Sequence, residues 1–179
     1  MPGEKAPLQD AESFGQLYER THLLVFRFIY GLGAEPVEEA EDLTAETFIR
    51  AWKARRRFRG DEGAAIGWLL RIARNLVIDR HRRRQVRGSE GALEDLPAQV
   101  FGPGLEQQTA DRERMLVLFR LLDGLPVDRR EMIVLRYFLE WPVKRIAEHM
   151  GMPENTVSVY LRRTLNALQR NWPGDFEQD

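Results

Sequence analysis

Arginine side chains are concentrated in one stretch of this sequence, from Arg50 to Arg87. That stretch carries 13 Lys or Arg residues against 3 Asp or Glu residues, although the whole chain of 179 residues has a formal net charge of only −1. A second stretch, residues 129–172, carries 8 basic and 4 acidic residues. Because salt screens charges beyond about 8–10 Å, a polyanion would respond to these local blocks rather than to the mean charge. The chemistry that the two stretches favour is therefore the binding of phosphate groups.

The residue types that catalysis needs are scarce by comparison. The chain has no cysteine, which excludes disulfides, thiolate metal ligands and thiol nucleophiles. The three histidines, His22, His81 and His149, fall in different predicted elements, and none has a partner at a metal-ligand spacing such as i, i+4. The acidic cluster at 38–42 lies where a helix is expected to begin, and the helix dipole favours anions there. We therefore expect no catalytic residue, no metal site and no cofactor.

Helical periodicity runs through nearly the whole chain, and no stretch shows the sustained alternation of a strand. Apolar residues between Phe14 and Leu32 recur at three- and four-residue steps and predict a first helix, which the glycines at 31 and 33 end. A second helix is expected after Pro36. Its inward row is expected to consist of Ala40, Leu43, Thr47, Phe48 and Ala51. A loop rich in arginine, residues 55–63, follows, and a third helix is predicted over Trp68–Arg84.

The periodicity disappears between residues 85 and 109, where glycines and prolines break any regular element. We interpret this stretch as a linker between two small helical domains. The helices of the second domain are predicted over residues 110–122, 128–139, 143–150 and from the turn at 151–153 to about 172. The sequence thus predicts an all-α chain with an N-terminal tail (1–12), a first domain (13–84), the linker (85–109), a second domain (110–172) and a C-terminal tail (173–179).

The segment from Val143 to Leu165 has the spacing of a helix-turn-helix, whose second helix enters the major groove of duplex DNA. Ile146 and the small Ala147 are expected to face inward, and Gly151 supplies the left-handed residue that ends the first helix. The residues expected to reach bases and phosphates are Asn155, Thr156, Ser158, Val159, Arg162 and Arg163. The two arginines could contact guanine or hold a phosphate, and the alternative is a helical hairpin whose exposed face is merely polar.

Three motifs, in this order, resemble those of the extracytoplasmic-function (group IV) sigma factors, small bacterial sigma factors that keep two domains called regions 2 and 4. They are DLTAETFIRAW at 42–52, FRGDEGAAIGWLLRIARNLVIDRHRRR at 58–84 and RREMIVLRYFLEWPVKRIAEHMGMPENTVSVYLRRTLNAL at 129–168. The resemblance extends from Phe14 to about Trp172. It implies a factor that binds core RNA polymerase and directs promoter recognition, DNA melting and transcription initiation at a specific regulon.

The resemblance also implies which residues take part. Region 2.2 of such proteins docks on the clamp helices of the largest polymerase subunit, and the matching residues are Asp42, Leu43, Glu46, Thr47, Arg50 and Trp52. The part that melts and reads the minus-10 element corresponds to Arg57, Phe58, Arg59, Trp68, Arg71, Arg74, Asn75, Asp79, Arg80, Arg82 and Arg83. Trp68 also fits a place in the core. The helix-turn-helix would read the minus-35 element as duplex, and region 4 is expected to contact the β flap of the polymerase.

The sequence of the recognition helix differs from the commonest pattern of the family. Ser158, Val159 and Tyr160 stand where members often have a basic residue, a serine and another basic residue, so the minus-35 sequence cannot be carried over. An alternative function is a helix-turn-helix regulator whose helical N-terminal domain senses a signal or dimerises. That alternative leaves the basic block of the third helix without a ligand.

Two further expectations concern partners and location. An anti-sigma factor is a common partner in the family, although no motif in this chain demands one. The longest apolar runs are too short to span a membrane, and the first residues lack the layout of a secretory signal. We therefore expect no membrane insertion and a cytoplasmic protein that is associated with the nucleoid when it is bound to polymerase.

Overall fold

The computed structural model describes Leu8, residues 10–87 and residues 109–173. Every regular element in these ranges is helical. The helices are α1 (Ala11–Gly31), α2 (Val37–Ala54), α3 (Glu62–Arg87), α4 (Thr109–Asp123), α5 (Val127–Ile133), α6 (Val143–Met150) and α7 (Glu154–Arg170), with a 3₁₀ turn at Arg55–Arg57 and a π-helical turn at Val134–Phe138. This confirms the all-α prediction. Most of the predicted linker and of both predicted tails lies outside the described residues.

The chain divides into two compact units, one that contains α2, α3 and most of α1, and one that contains α4 to α7. In the first unit, the predicted inward row of α2 is confirmed, because all five of its residues are buried. The hydroxyl of Thr47 is satisfied within the helix, where it donates a 2.7 Å hydrogen bond to the carbonyl of Leu43. The core of this unit also includes Leu17, Phe28 and Ile29 of α1 and Leu69, Leu70, Ala73 and Val77 of α3.

The predicted start of the third helix at Trp68 is wrong, because α3 begins at Glu62 and continues to Arg87. Asp61 caps the helix: its Oδ1 accepts a 2.8 Å hydrogen bond from the backbone N–H of Ala64. The helical conformation is interrupted at Gly60, whose φ of +156° is one that residues with a side chain rarely adopt. Gly63 was expected to belong to the loop, but it lies inside the first turn that Asp61 caps.

The second unit contains the helix-turn-helix, α6 and α7, and its predicted core is confirmed. Ile146, Ala147, Val157 and Leu161 are all buried. Gly151 adopts the left-handed conformation with φ of +64°, and the next N–H, of Met152, returns to the carbonyl of Ala147 at 3.0 Å. These features fix the angle between the two helices, so that the face of α7 opposite its buried row points to solvent.

The helix predicted over 128–139 is not uniform, because α5 gives way to the π-helical turn before it ends. The N–H of Leu139 bonds the carbonyl of Val134, five residues earlier, at 3.1 Å. Such a turn inserts one residue into the helical register and re-aims the side chains around it. Beyond this turn, the Nε2 of His149 lies 3.2 Å from Oε1 of Glu131, and the buried pair joins α6 to α5.

A buried carboxylate ties α2 to α3 in the first unit. Only 5% of the Glu39 side chain is exposed, and its carboxylate is ion-paired with both Arg80 and Arg84. Arg84 also donates to the backbone carbonyl of Glu35, just before α2. One carboxylate on the first turn of α2 therefore neutralises two of the closely spaced cations at the end of α3.

Replacement of Glu39 by Gln should destabilise the first unit by about 1–3 kcal/mol, because two arginines lose the anion that compensates their desolvation. The measurement is the free energy of urea unfolding followed by circular dichroism. The exposed neighbour Glu38 provides the matched control, and Glu38→Gln should stay within about 0.5 kcal/mol of the unaltered chain. Equal stability of the two variants would contradict a structural role for the Glu39 cluster.

Candidate nucleic-acid and partner-binding surfaces

The outer face of α3 presents a row of cationic and polar side chains. Arg71, Asn75 and Arg82 lie at i, i+4 and i+11 and are exposed, which places them on one side of the helix. Of the other predicted residues, Asp79 and Arg83 are also exposed, whereas Arg74 is half-buried. Such a row, spaced along a rigid helix, is suited to following the phosphates of one nucleic-acid strand.

Arg80 differs from these neighbours. Its Nε donates to Oε1 of Glu39, which lies on α2, so this side chain is turned toward the flank of α3. The side chain is nevertheless 46% exposed. Arg80 is therefore an anchored cation, and any phosphate that it binds must share the guanidinium with Glu39.

The loop before α3 contains a buried ring and two exposed arginines. The ring of Phe58 is buried and lies 5.0 Å, centroid to centroid, from the half-buried ring of Trp68. Arg57 and Arg59 are exposed, and Nη1 of Arg59 donates to the carbonyls of Arg56 and Phe58 at 2.7 and 2.9 Å. The Phe58 ring packs against Trp68 of α3, and the part of Phe58 in reading the minus-10 element stays a prediction.

The predicted polymerase-binding residues of α2 separate into two groups. Asp42, Glu46 and Arg50 point outward, and Nε of Arg50 lies 2.7 Å from Oε1 of Glu46. Leu43 and Thr47 belong to the buried row of the helix. They lie at i and i+4 on the face that packs into the core, and their part in binding polymerase stays a prediction.

Trp52 is half-buried at the end of the same helix. The guanidinium of Arg55 lies 3.4 Å from the centroid of its ring, and the ring of Phe14 meets it edge-on at 5.1 Å. A cation on one aromatic face holds the indole in place while part of it remains accessible. Trp52 is thus a rigid aromatic group beside the charged face of α2.

One exposed residue on this side of α2, Ile49, was not predicted from the sequence. Ile49, next to Arg50, is 47% exposed, whereas Leu43 and Phe48 of the same helix are buried. Its exposure could have been predicted, because Ile49 is an apolar residue that falls outside the predicted inward row. An exposed branched side chain between charged ones gives the face an apolar contact point, as the centre of a protein interface has.

The six residues of α7 that were predicted to contact DNA differ in exposure. Asn155, Ser158, Arg162 and Arg163 are exposed, whereas Thr156 and Val159 are half-buried. Beside α7 lies a shallow groove of about 400 Å³, whose lining includes Ser158, Arg162, Arg136 and Tyr137. Arg136 and Tyr137 come from the π-helical turn, which the sequence did not reveal, and Tyr137 is 48% exposed.

Arg145, on the first helix of the helix-turn-helix, has a different role. Its guanidinium lies 3.9 Å from the centroid of the buried Trp141 ring. Burial lowers the pKa of Arg145 from its ordinary value. This cation packs against the scaffold of the motif rather than extending from the recognition face.

The described residues contain neither a cluster of metal ligands nor a helix that could span a membrane. Within residues 10–87 and 109–173, no three His, Cys, Asp or Glu side chains are grouped so that they could hold a metal ion. Over the same ranges, no helix combines the length and the apolar character that crossing a bilayer requires.

Comparison with known proteins assigns both units to one family. Residues 17–87 match the family Sigma-70 region 2, and residues 115–168 match Sigma-70, region 4. The extracytoplasmic-function sigma factor BldN of Streptomyces coelicolor is 30% identical over 96% of the chain, which spans 65% of BldN. SigL of Mycobacterium tuberculosis, named as a sigma factor of the same class, is 27% identical over 92% of this chain and 91% of its own.

Solved structures show the same fold. The sigma factor RpoE of Bartonella quintana, in complex with the anti-sigma factor NepR, superposes with a TM-score of 0.68 at 24% identity, over 89% of this chain and 96% of RpoE. CnrH, in complex with the cytosolic domain of CnrY, gives a TM-score of 0.64 at 21% identity, over 93% and 91% of the two chains. With both regions matched in order along the sequence, the chain belongs to the extracytoplasmic-function sigma factors.

Proposed function

We propose that this sigma factor binds core RNA polymerase and directs promoter recognition, DNA melting and transcription initiation at a specific set of promoters. The observation that supports this most strongly is the pairing of two different cationic surfaces in one chain. One is the exposed arginine row of α3, and the other is the recognition face of a helix-turn-helix. In this proposal the polymerase supplies all catalysis, and the chain needs no cofactor.

The outward face of α2 is proposed to dock on the clamp helices of the largest polymerase subunit. Its members are Asp42, Glu46, Ile49, Arg50 and Trp52. The mixture of a charged pair, an exposed Ile and a rigid Trp resembles an interface with an apolar centre and a polar rim. Leu43 and Thr47 act in this proposal as core residues that hold the face in position. The second unit is proposed to contact the β flap.

The loop and α3 are proposed to open and hold the minus-10 element. Unstacking DNA costs on the order of 1–2 kcal/mol per base-pair step, and cations along one strand can offset part of that cost. Arg57 and Arg59 are exposed, and Trp68 is the less buried ring of the Phe58–Trp68 pair, so Trp68 is proposed to meet an extruded base. The strand is proposed to follow Arg71, Arg74, Asn75, Asp79, Arg82 and Arg83, with Arg80 anchored beside them.

The recognition helix is proposed to read the minus-35 element as intact duplex. Arg162 and Arg163 are exposed on the outer face of α7, where an arginine can donate two hydrogen bonds to one guanine. Asn155, Thr156, Ser158 and Val159 complete this contact. Arg136 and Tyr137, which share the adjacent groove with Ser158 and Arg162, extend it toward the phosphate backbone.

Two further proposals concern an inhibitor and the location of the protein. RpoE was solved with an anti-sigma factor, so we propose that an inhibitor of this class also binds this chain. The proposed work on DNA with polymerase places the protein in the cytoplasm, at the nucleoid. The alternative, a regulator that binds an operator without polymerase, uses only the helix-turn-helix and gives the arginine row of α3 no ligand.

The experiment that tests the proposal is run-off transcription with core polymerase on a library of genomic fragments. A sigma factor yields transcripts that start at defined positions and that are absent without the chain. Binding to duplex fragments without any polymerase-dependent transcript would support the regulator instead.

Charge reversal on the proposed polymerase face should weaken the complex with core polymerase. Asp42→Lys is expected to raise the dissociation constant about tenfold, equivalent to about 1.4 kcal/mol, because it places a cation in an interface built around an anion. Fluorescence titration of labelled chain with core polymerase measures this. Glu41→Lys is the matched control, since Glu41 is exposed on the same turn but points about 100° away. Equal effects of both reversals would contradict the assigned face.

Loss of a recognition-helix arginine should affect DNA and not polymerase. Arg162→Ala or Arg163→Ala is expected to weaken holoenzyme binding to the minus-35 element about 5- to 150-fold, the equivalent of about 1–3 kcal/mol, if the side chain reads guanine. Promoter binding is measured by filter retention, and core binding by titration. Arg170→Ala, exposed near the end of the same helix, should change neither. Parallel loss of both activities in the Arg162 and Arg163 variants would argue against a specific contact with DNA.

A further inference from the structure

Arg136 lies in the groove along one flank of the recognition helix α7, and a second arginine, Arg129, lies against the opposite flank. The guanidinium carbon of Arg129, on α5, is 3.8 Å from the centroid of the Tyr160 ring on α7. Both side chains are half-buried. Among the residues that the structure describes, no carboxylate pairs with Arg129 and no group hydrogen-bonds the Tyr160 hydroxyl. The guanidinium is therefore held by an aromatic face while its N–H donors have no protein acceptor there.

The position of Tyr160 on the helix shows which flank this is. Tyr160 lies about 200° around the axis of α7 from Ser158, which lines the groove with Arg136. Thr156 and Arg163 lie four residues before and three after Tyr160, so they share its flank. The exposed outer face of α7 thus lies between two cations from other helices, Arg136 on one side and Arg129 on the other.

This arrangement matches the surroundings of a helix in the major groove. The major groove is about 12 Å wide, and a helix within it has a phosphate backbone on each side. A cation on only one flank would contact one of these backbones. On the second flank, α7 itself supplies Arg163, and Arg129 of α5 adds a second cation beside the Tyr160 ring.

Stacking on tyrosine suits a phosphate ligand. An arginine plane that lies flat on an aromatic ring keeps its N–H groups at the edge, where they can donate in pairs to phosphate oxygens. The ring also restricts the long side chain before DNA arrives, so that less conformational freedom is lost on binding. A lysine at the same position would keep the charge but lose the planar pair of donors.

We infer that Arg129, oriented by Tyr160, binds a phosphate of the promoter strand opposite the one that faces Arg136. The inference rests on the proposed binding of α7 to duplex DNA. Arg129 then contributes affinity and fixes the orientation of the recognition helix, whereas bases are read by the outer face of α7. Tyr160 is a positioning residue that acts through Arg129.

The test is the salt dependence of promoter binding by the holoenzyme, together with ethylation interference over the minus-35 region. Arg129→Ala should weaken binding roughly tenfold, lower the slope of log K against log salt by about 0.9, and remove interference at one phosphate. Sequence preference should stay unchanged, because a phosphate contact carries no base information. Tyr160→Phe should behave as the unaltered chain, whereas Tyr160→Leu should lose affinity in the presence of Arg129 and have little further effect in Arg129→Ala.

Arg120→Ala is the control, since Arg120 is exposed on α4. Arg129→Lys is expected to fold normally and to keep the salt slope while binding more weakly than the unaltered chain. An unchanged slope and interference pattern in Arg129→Ala would overturn the inference. If the unaltered chain binds duplex DNA but never initiates transcription, the proposed function fails. The slope of log K against log salt then still tests the phosphate contact of Arg129. If it binds no duplex under any condition, both fail.

Discussion

Repulsion between closely spaced arginines is the constraint on which the first unit depends. The stretch from Arg50 to Arg87 must keep enough exposed cations to attract a polyanion and still fold without one. Glu39 meets the second requirement: its buried carboxylate holds Arg80 and Arg84 on the flank of α3 that faces α2. The outer face, with Arg71 and Arg82, stays exposed. The division of α3 into a neutralised flank and a cationic face thus follows from one acidic residue on a neighbouring helix.

In the second unit, aromatic rings rather than carboxylates hold two arginine side chains in position. Arg145 lies on Trp141 and Arg129 lies on Tyr160, so that stacking orients each guanidinium and no carboxylate is needed to hold it. Stacking leaves the positive charge available, whereas an ion pair cancels much of it. Arg145 is directed into the scaffold, and Arg129 is directed to the flank of the recognition helix. The difference between these two arginines lies in the position of the ring: Trp141 lies in the loop before α6, and Tyr160 lies on α7.

Much of the fold could be predicted from sequence because it depends on local patterns. The inward row of α2 and the helix-turn-helix core follow from three- and four-residue spacing and from Gly151. The start of α3 was missed because the capping hydrogen bond of Asp61 outweighs the glycine at 63. At the candidate sites, motif resemblance named Leu43, Thr47 and Phe58, but it could not show that their side chains are buried, because burial depends on the packing of neighbouring helices. The pairing of Arg80 with Glu39, and the π-helical turn that positions Arg136, depend on tertiary packing, which no local spacing encodes.

In the proposed function, one chain holds an opened strand with α3 and an intact groove with α7 at the same promoter, while polymerase performs the chemistry. Permanganate probing of unpaired thymines, combined with nuclease footprinting on a promoter found by transcription, tests this most directly. We expect reactive thymines just upstream of the start site and a protected, fully paired element farther upstream, both only when chain and core polymerase are present together. Protection of the upstream duplex by the chain with polymerase, without any reactive thymine, would contradict it.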